Sequence, residues 1–345
     1  MAQDDKHIFM IVLGIESSCD ETAVAVLEGT KVRASTVASQ DEVHARFGGV
    51  VPELASRKHL EMIIPLVRSA LAKADLTMND VEGVAVTNAP GLIGALLVGL
   101  SAAKGIAYAL DVPIVGVNHL EGHLNAVHLE TDDVPYPHVG LVVSGGHTSL
   151  YLVRAFGEYE LLGATRDDAA GEAYDKVAKL MDLGYPGGPV IDRLAGMGDE
   201  TTFTFTKPKF DGDTLDFSFS GIKTAVMLAV RKAGEEHHLN DDFKRDMAAS
   251  FQRAVVNMLC DRLFEAAAKV NAKAVVVSGG VAANSGFRKE LERRAKKLGT
   301  PCYIPAIRLC TDNASMIAYV GARRLANGER SDMTLNAVAN QEIGV

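Results

Sequence analysis

The hydrophobic pattern alternates between short apolar runs and longer amphipathic stretches. The first half of the chain contains, in order, three strand-length runs, a helix, a strand, a helix, a strand and a helix. Their predicted positions are 8–15, 22–27, 32–39, 52–74, 83–87, the segment after Pro90-Gly91, 114–117 and a segment that carries His119. The helix at 52–74 begins on Pro52, which is favoured at the first helical position.

The same order of elements recurs in the second half of the chain. The predicted positions are 138–144, 149–154, 159–164, a helix near 169, 241–270, 274–278, 284–298, 302–304 and 312–327. Two copies of the order βββαβαβα predict a duplicated, two-lobed α/β protein. Each copy should have mainly parallel strands and begin with an antiparallel meander.

The domain limits follow from this repeat. We assign 8–130 to an N-terminal lobe, 131–327 to a C-terminal lobe with an insertion at about 184–231, and 328–345 to a tail. No low-complexity linker separates the lobes, so we expect them to meet at a cleft.

Composition narrows the class of protein. The 345 residues are 48% hydrophobic and 23% charged, which is typical of a globular protein, and the net charge of -9 argues against bulk binding of nucleic acid. Four cysteines without a CxxC pair predict reduced thiols. The apolar stretch at 92–110 contains Ser101, Lys104 and three glycines, which favours a buried helix over a membrane span. We therefore expect a cytoplasmic protein without a membrane contact.

Three glycine- and hydroxyl-rich turns follow predicted strands. They read LGIESSCDET at 13–22, VVSGGHTSL at 142–150 and VVVSGGVAANSGFR at 275–288. Glycine lets the backbone approach a ligand, and successive N–H groups can cradle an anion. One such turn is weak support, but three of them, two related by the repeat, predict a phosphate-bearing nucleotide between the lobes. The P-loop and GxGxxG patterns are both absent.

A second candidate is the sequence HLEGH at 119–123. His119 and His123 are four residues apart and lie on one face of a helix, where both can bind one metal ion. Asp312 is the candidate third ligand, with a helix cap as an equal alternative. A surface pair is the alternative for the two histidines. Glu121 lies roughly 200° around the helix from His119, which disfavours a zinc peptidase.

Asp175 and Asp192 are candidate acceptors for ribose hydroxyls or substrate amines, with ordinary solvated helix positions as the alternative. The basic segment 288–297 is interpreted as a solvated helix face in preference to an RNA contact.

Ten ordered motifs resemble one known family over residues 10–327. They read ESSCDET, GGVVPELASRKH, PGLIGALLVG, HLEGH, VSGGHT, GEAYDKVAKL, YPGGP, FSFSGIKTAV, SGGVAAN and CTDNASMIAY. The chain is similar in these motifs to the bacterial tRNA N6-adenosine threonylcarbamoyltransferase family, formerly called O-sialoglycoprotein endopeptidase. The resemblance implies the actin/sugar-kinase/Hsp70-like fold, which is RNase H-like. It also implies transfer of threonylcarbamoyl from threonylcarbamoyl-AMP to N6 of adenosine 37 in tRNAs that read codons beginning with A, releasing AMP.

The resemblance also implies ligands, partners and site residues. One divalent metal ion per subunit, expected to be Fe2+ with Zn2+ as the alternative, would be bound by His119, His123 and Asp312. The matching substrate-binding positions are Val142, Val143, Ser144, Gly145, Gly146, Asp175, Gly188, Asp192 and Asn284. The implied partners are tRNA, an inactive paralogue that forms a heterodimer, and a small P-loop ATPase. Asn118 and the short tail depart from the family pattern.

Two other functions remain open from the sequence. A small-molecule kinase of the same fold would use Mg2+ rather than a histidine pair, and a non-catalytic scaffold would bind nucleotide without changing tRNA. In the transferase, we expect the metal to polarise the donor carbonyl and no side chain to act as a covalent nucleophile. Cys19 is interpreted as a packed turn residue.

Overall fold

The computed structural model describes residues 10–208 and 210–343, which form two compact units. The first unit contains the described residues up to Asp132 together with Asp312–Ile343, and the second contains Asp133–Thr311. The first two positions of the strand predicted at 8–15 lie outside the described residues.

The first unit is built on a five-stranded sheet with helices packed against it. Its strands are β1 Ile11–Glu16, β2 Glu21–Glu28, β3 Lys31–Ser39, β4 Gly83–Ala89 and β5 Ile114–Asn118. Its helices are α1 Asp41–Ala45, α2 Pro52–Lys73, α3 Ile93–Leu110, α4 His119–Asn125 and, at the end of the chain, α11 Ala314–Ala326. The strand order is β3-β2-β1-β4-β5, with β1 antiparallel to β2 and parallel to β4.

The second unit repeats this arrangement. Its strands are β6 His138–Val143, β7 Thr148–Ala155, β8 Glu158–Ala164, β9 Ala274–Ser278 and β10 Cys302–Tyr303. Its helices are α5 Ala170–Leu180, α6 Gly187–Ala195, α7 Ser220–Glu235, α8 Asp241–Lys269, α9 Ser285–Leu298 and α10 Ile307–Cys310. The strand order β8-β7-β6-β9-β10 matches that of the first sheet strand for strand, which confirms the predicted duplication.

The C-terminal end of the chain belongs to a different unit from the one predicted. Residues 312–327, placed in the second lobe from the sequence, and the described part of the tail belong to the first unit. Helix α11 packs directly on the first sheet, since a Cβ on Gly14 would come within 2.5 Å of the Ala314 carbonyl oxygen. Ser331 then forms an antiparallel bridge with Ile114 of β5. Close contact with the sheet, which the sequence order does not reveal, therefore decides where this segment lies.

Helix α3 is the one helix of the described residues that is long and apolar enough to cross a membrane, and it is partly buried. It forms the crossover between the parallel strands β4 and β5 and packs on α2. A Cβ on Gly94 would clash with the Ser56 side chain of α2, and a Cβ on Gly99 would clash with the Ser17 side chain. These contacts are those of a helix packed on a sheet, so the apolar stretch is weak support for a membrane span.

The parallel strands of both sheets end in segments that carry candidate residues. In the first sheet, Glu16 ends β1 and Asn118 ends β5, immediately before α4. In the second, β6 and β9 run parallel with Val142 opposite Ser278, so the two SGG turns leave the sheet side by side. Ligands of open α/β sheets bind at this end of the strands.

Candidate functional site

Two imidazoles and one carboxylate converge in the first unit. His119 and His123 lie one turn apart on α4, with ring centroids 4.6 Å apart. Asp312 Oδ1 lies 3.1 Å from His123 Nε2 and 3.5 Å from His119 Nε2. One ligand atom from each residue lies within 4.8 Å of the others. Both histidines are buried and the Asp312 side chain is 18% exposed, so the group could hold one metal ion.

Asp312 does not cap the helix that follows it. Asn313 is the N-cap of α11, and its side chain accepts a hydrogen bond from the Met316 backbone N–H. The residue that caps this helix is therefore Asn313 and not Asp312. The Asp312 carboxylate instead faces the two histidines.

The donor set suits a divalent metal ion. Two imidazole nitrogens and one carboxylate oxygen leave coordination positions open for a substrate. The His119 Nε2 atom faces the group because its Nδ1 atom is occupied by Glu16 and Ser18. The His123 Nδ1 atom is buried without a hydrogen-bond partner among the described residues. The residues therefore fit a metal ion, whose identity the geometry leaves undefined.

The surroundings of the two histidines shift their pKa values in opposite directions. Burial opposes protonation of His119, but Asp312 and Glu16 raise its pKa to about 9. Burial lowers the pKa of His123, despite the hydrogen bond to Asp312. His123 is therefore the more readily deprotonated ligand, whereas a metal ion at His119 would displace a proton.

Glu16 orients His119, and the sequence analysis did not assign this role. Its Oε2 atom lies 3.0 Å from His119 Nδ1 and accepts a 2.6 Å hydrogen bond from the Thr87 hydroxyl. Its Oε1 atom accepts from the Ser18 backbone N–H at 2.5 Å. Burial alone would raise the pKa of Glu16, but His119 and the hydrogen bond from Thr87 lower it. A carboxylate behind a metal-binding histidine fixes the ring and raises its basicity.

Glu121 has a different partner. Its Oε2 atom accepts a 2.6 Å hydrogen bond from Arg324 Nη2 on α11, and Arg324 Nη1 donates to the Gly116 carbonyl oxygen at 3.0 Å. This ion pair, whose carboxylate is buried, ties α4 to α11, the two helices that flank the metal group. It agrees with the sequence interpretation that Glu121 is not the general base of a peptidase.

A second acidic group lies in the same unit. Asp20, Glu21 and Asp41 also offer ligand atoms within 4.8 Å of one another. Burial, with the nearby Asp312 and Asp20 carboxylates, raises the pKa of Glu21 well above its usual value. The sequence analysis gave these three residues no role as a group.

The glycine-rich turns form a cradle in the second unit. Val142 and Val143 end β6, and Ser144 begins the turn. The Ser144 carbonyl oxygen accepts a 3.1 Å hydrogen bond from the Gly171 backbone N–H. No atom lies within 4 Å of a Cβ built on Gly145 or Gly146, so these backbones face open space.

The partner turn after β9 is held close to β6. Gly279 has φ +93°, and a Cβ there would clash with the Val143 carbonyl. Ser278 Oγ is buried without a partner among the described residues. The two turns therefore place backbone N–H groups and hydroxyls at one edge of the sheet.

The remaining predicted residues lie on three helices of the same unit. Asp175 on α5 accepts a 2.7 Å hydrogen bond from the Gly187 backbone N–H at the start of α6. Gly188 faces open space at that helix start. Asp192 accepts from the Ser285 backbone N–H at 2.9 Å, and Asn284 caps α9. The structure therefore joins Asp175 to the start of α6, and Asp192 to the start of α9.

The fold and the site define a class of protein: a duplicated, actin-like α/β protein with a candidate metal centre. Among solved structures, full-length HypF in its phosphate- and nucleotide-bound form has a TM-score of 0.61 at 14% identity, covering 94% of this chain and 47% of that one. The activator of the 2-hydroxyisocaproyl-CoA dehydratase from Clostridium difficile has a TM-score of 0.53 at 14% identity, covering 94% and 99%. These likenesses confirm the predicted fold.

Sequence comparisons identify the family. The TsaD family model, described as tRNA N6-adenosine threonylcarbamoyltransferase, matches residues 31–319. A protein of that name from Syntrophotalea carbinolica is 51% identical over 96% of this chain and 96% of its own. Another from Clostridioides difficile is 49% identical over 97% and 98%. The chain belongs to this family and is a transferase, which confirms the resemblance noted in the sequence.

Proposed function

We propose that this protein transfers the threonylcarbamoyl group from threonylcarbamoyl-AMP to N6 of adenosine 37 in tRNAs that read codons beginning with A, and releases AMP. The observation that carries the proposal is the convergence of His119, His123 and Asp312 in a chain of this family. The proposal extends the family assignment to a donor, an acceptor position and named residues.

In this proposal His119, His123 and Asp312 hold one divalent ion, expected to be Fe2+ with Zn2+ as the alternative. When bound, such an ion supplies a Lewis acid for the carbonyl oxygen of the donor. Glu16 holds the His119 ring in place, and Arg324 fixes α4 through Glu121. The chain's own contribution is therefore a rigid frame for the metal ligands.

The residues of the second unit bind the AMP part of the donor in this proposal. In the segment Val142, Val143, Ser144, Gly145 and Gly146, the strand residues and Ser144 shape the turn, since the Ser144 N–H donates to the His147 carbonyl oxygen. The Gly145 and Gly146 N–H groups, whose backbones face open space, are offered to the phosphate. Asp175, Gly188, Asp192 and Asn284 bind the nucleoside, with the carboxylates as acceptors for hydroxyl groups. The adenosine N6 attacks the carbonyl carbon and releases one proton to water. The bond from that carbon to the phosphate oxygen breaks, and AMP leaves with that oxygen.

No side chain needs to act as a nucleophile. Burial, with the nearby Asp20 and Asp312 carboxylates, raises the pKa of Cys19 well above its usual value, which disfavours the nucleophilic thiolate form. All four cysteines are free. Free thiols support the cytoplasmic location that we propose.

We also propose that an inactive paralogue docks on the face of α2 and α3, and that a small P-loop ATPase completes the assembly. Apolar side chains are exposed on these two neighbouring helices: Leu60 at 66%, Ile64 at 43%, Ile93 at 42% and Leu97 at 41%. A two-lobed paralogue would present similar helices, so burial of both apolar faces would favour pairing. The ATPase is expected from the family resemblance alone.

The docking face gives a testable expectation. A charge at Leu60 or Leu97 would be buried without a partner in the heterodimer, so Leu60→Asp and Leu97→Asp are expected to weaken association at least about 100-fold. Size-exclusion chromatography with the purified paralogue would measure this. Leu298→Asp, on an exposed position of α9, is the matched control. Unchanged association in both variants would contradict the docking face.

Asn284 provides a prediction for the nucleotide site. We expect Asn284→Ala to weaken AMP binding about tenfold, because the amide that faces Gln252 and caps α9 is lost. Loss of the cap alone costs about 1 kcal/mol of folding stability. Asn240→Ala is the matched control, because Asn240 caps α8 in the same way through the Phe243 N–H. Calorimetry showing equal AMP affinity in Asn284→Ala and the unmodified protein would refute the assignment.

Reconstitution tests the function as a whole. The protein is mixed with the expected paralogue and ATPase, an adenylate-forming enzyme, threonine, bicarbonate, ATP and unmodified tRNA, and the nucleosides are analysed by mass spectrometry. The proposal predicts N6-threonylcarbamoyladenosine at position 37. Unmodified tRNA with nucleotide binding intact would favour the scaffold, and phosphorylation of small polyols would favour the kinase.

A further inference from the structure

Gln252 on α8 lies between two residues that the proposed function assigns to the nucleotide. Its side chain donates a 2.9 Å hydrogen bond from Nε2 to Asp192 Oδ1 and accepts a 2.7 Å hydrogen bond at Oε1 from Asn284 Nδ2. The residue is 7% exposed. Both ends of the amide are therefore used to join α6 to the start of α9.

The direction of each hydrogen bond follows from a fixed end. Asn284 Oδ1 accepts from the Phe287 backbone N–H at 2.8 Å, which leaves Asn284 Nδ2 to face Gln252. Gln252 Oε1 must then accept, and its Nε2 must donate to the Asp192 carboxylate, which only accepts when ionised. Glutamine satisfies both partners because it carries one donor group and one acceptor group.

The Asp192 carboxylate is oriented by this network. Its Oδ1 atom accepts from Gln252 and from the Ser285 hydroxyl at 3.0 Å. Its Oδ2 atom accepts from the Ser285 backbone N–H, the one hydrogen bond that Oδ2 makes within residues 10–208 and 210–343. An ionised carboxylate oxygen has two lone-pair positions, so Oδ2 keeps one position for a ligand hydroxyl.

Gly286 is required by the same contact. A Cβ on Gly286 would lie 2.6 Å from Gln252 Nε2 and 3.4 Å from Asn284 Oδ1. Any larger residue at 286 would push the Gln252 amide away from Asp192.

We propose that Gln252 is a positioning residue that aligns the Asp192 carboxylate and the Asn284 amide for the nucleotide of the donor. The inference rests on the proposed function, since it assumes that these two residues bind the nucleotide. Gln252 itself is assigned no ligand contact in this account, since it is 7% exposed and its amide bonds to Asp192 and Asn284.

A carboxylate at position 252 tests whether the amide is essential. Gln252→Glu would face Asp192 with a second negative charge, and the two carboxyl groups would share a proton as the pH falls. The shared proton would restore the donor that Gln252 supplies. The Tyr174 phenol on α5 also faces Asp192, and its pKa is raised by burial and by Asp192. Tyr174 therefore stays neutral throughout the range tested.

The experiment measures AMP affinity of the full-length protein by calorimetry at several pH values from 6.5 to 8.5. At each pH, the affinity of the unmodified protein is divided by the affinity of the variant. We expect Gln252→Glu to bind about tenfold more weakly at pH 8.5, the size of one charge-assisted hydrogen bond, and to recover most of this loss at pH 6.5. Gln252→Met, of similar size but without polar atoms, should be weaker at every pH. Gln341→Glu, at an exposed position, is the control for the charge change.

Three outcomes would overturn the inference in different ways. If Gln252→Glu melts at the temperature of the unmodified protein and binds AMP equally well at pH 8.5, Gln252 has no positioning role. A pH-independent loss in Gln252→Glu would show a structural role only. If the unmodified protein fails to bind AMP, the nucleotide site is refuted and the role of Gln252 with it.

Discussion

Replacing His119 or His123 by Ala is expected to abolish metal binding and threonylcarbamoyl transfer while the protein remains folded. Each variant leaves two ligands where three now converge within 4.8 Å. Because loss of a group that merely orients a metal ligand costs 10–100-fold, loss of a ligand should exceed about 100-fold in activity. Metal content by mass spectrometry and nucleoside analysis would measure the two effects together.

His128→Gln is the matched control for these variants. His128 follows α4 in the same segment, is buried, and stacks on Tyr319 rather than joining the metal group. We expect it to keep its metal. Unchanged metal content in His119→Ala and His123→Ala would show that other residues bind the ion, with Asp20, Glu21 and Asp41 as the next candidates.

Glu16→Gln is expected to reduce metal affinity and transfer by about 10–100-fold. The amide can still contact Thr87 or Ser18, so the fold should persist, but the negative charge behind His119 is lost. The pKa of His119, which Glu16 helps to raise to about 9 in the metal-free site, should fall in the variant. The variant's metal-free His119 would therefore lose its proton at a lower pH.

The measurement for Glu16→Gln is a metal titration with a competing chelator, combined with NMR of the histidine ring. Glu28→Gln, at the exposed end of β2, is the control. Metal affinity equal to that of the unmodified protein would show that Glu16 contributes only packing.

Much of the fold was predictable because local patterns and tertiary packing agree. The strand predicted at 274–278 and the helix predicted at 284–298 are observed at Ala274–Ser278 and Ser285–Leu298. Apolar strands between Gly-rich turns leave few alternatives in a duplicated α/β chain. The short helix α1 was missed, since its five residues are too few to show a period. The insertion predicted at 184–231 contains α6 and most of α7, which the sequence analysis did not resolve.

The site was predictable only where residues are close in sequence or belong to a known motif. The spacing of His119 and His123 predicts that they lie on the same face of a helix, and the structure places them one turn apart on α4. Asp312 was ambiguous because two cap-forming residues are adjacent, and packing made Asn313 the cap. Glu16 and Gln252 were missed because their partners are distant in sequence, 103 residues for His119 and 60 for Asp192. Such contacts depend on how strands and helices pack, which one sequence does not reveal.

Anomalous diffraction from crystals of the protein loaded with Fe2+ would test the metal centre most directly. The account predicts one strong peak that lies between His119 Nε2, His123 Nε2 and an Asp312 carboxylate oxygen, the three atoms that would hold the ion. A peak bonded to Asp20, Glu21 and Asp41 instead, with none between the two histidines, would contradict it.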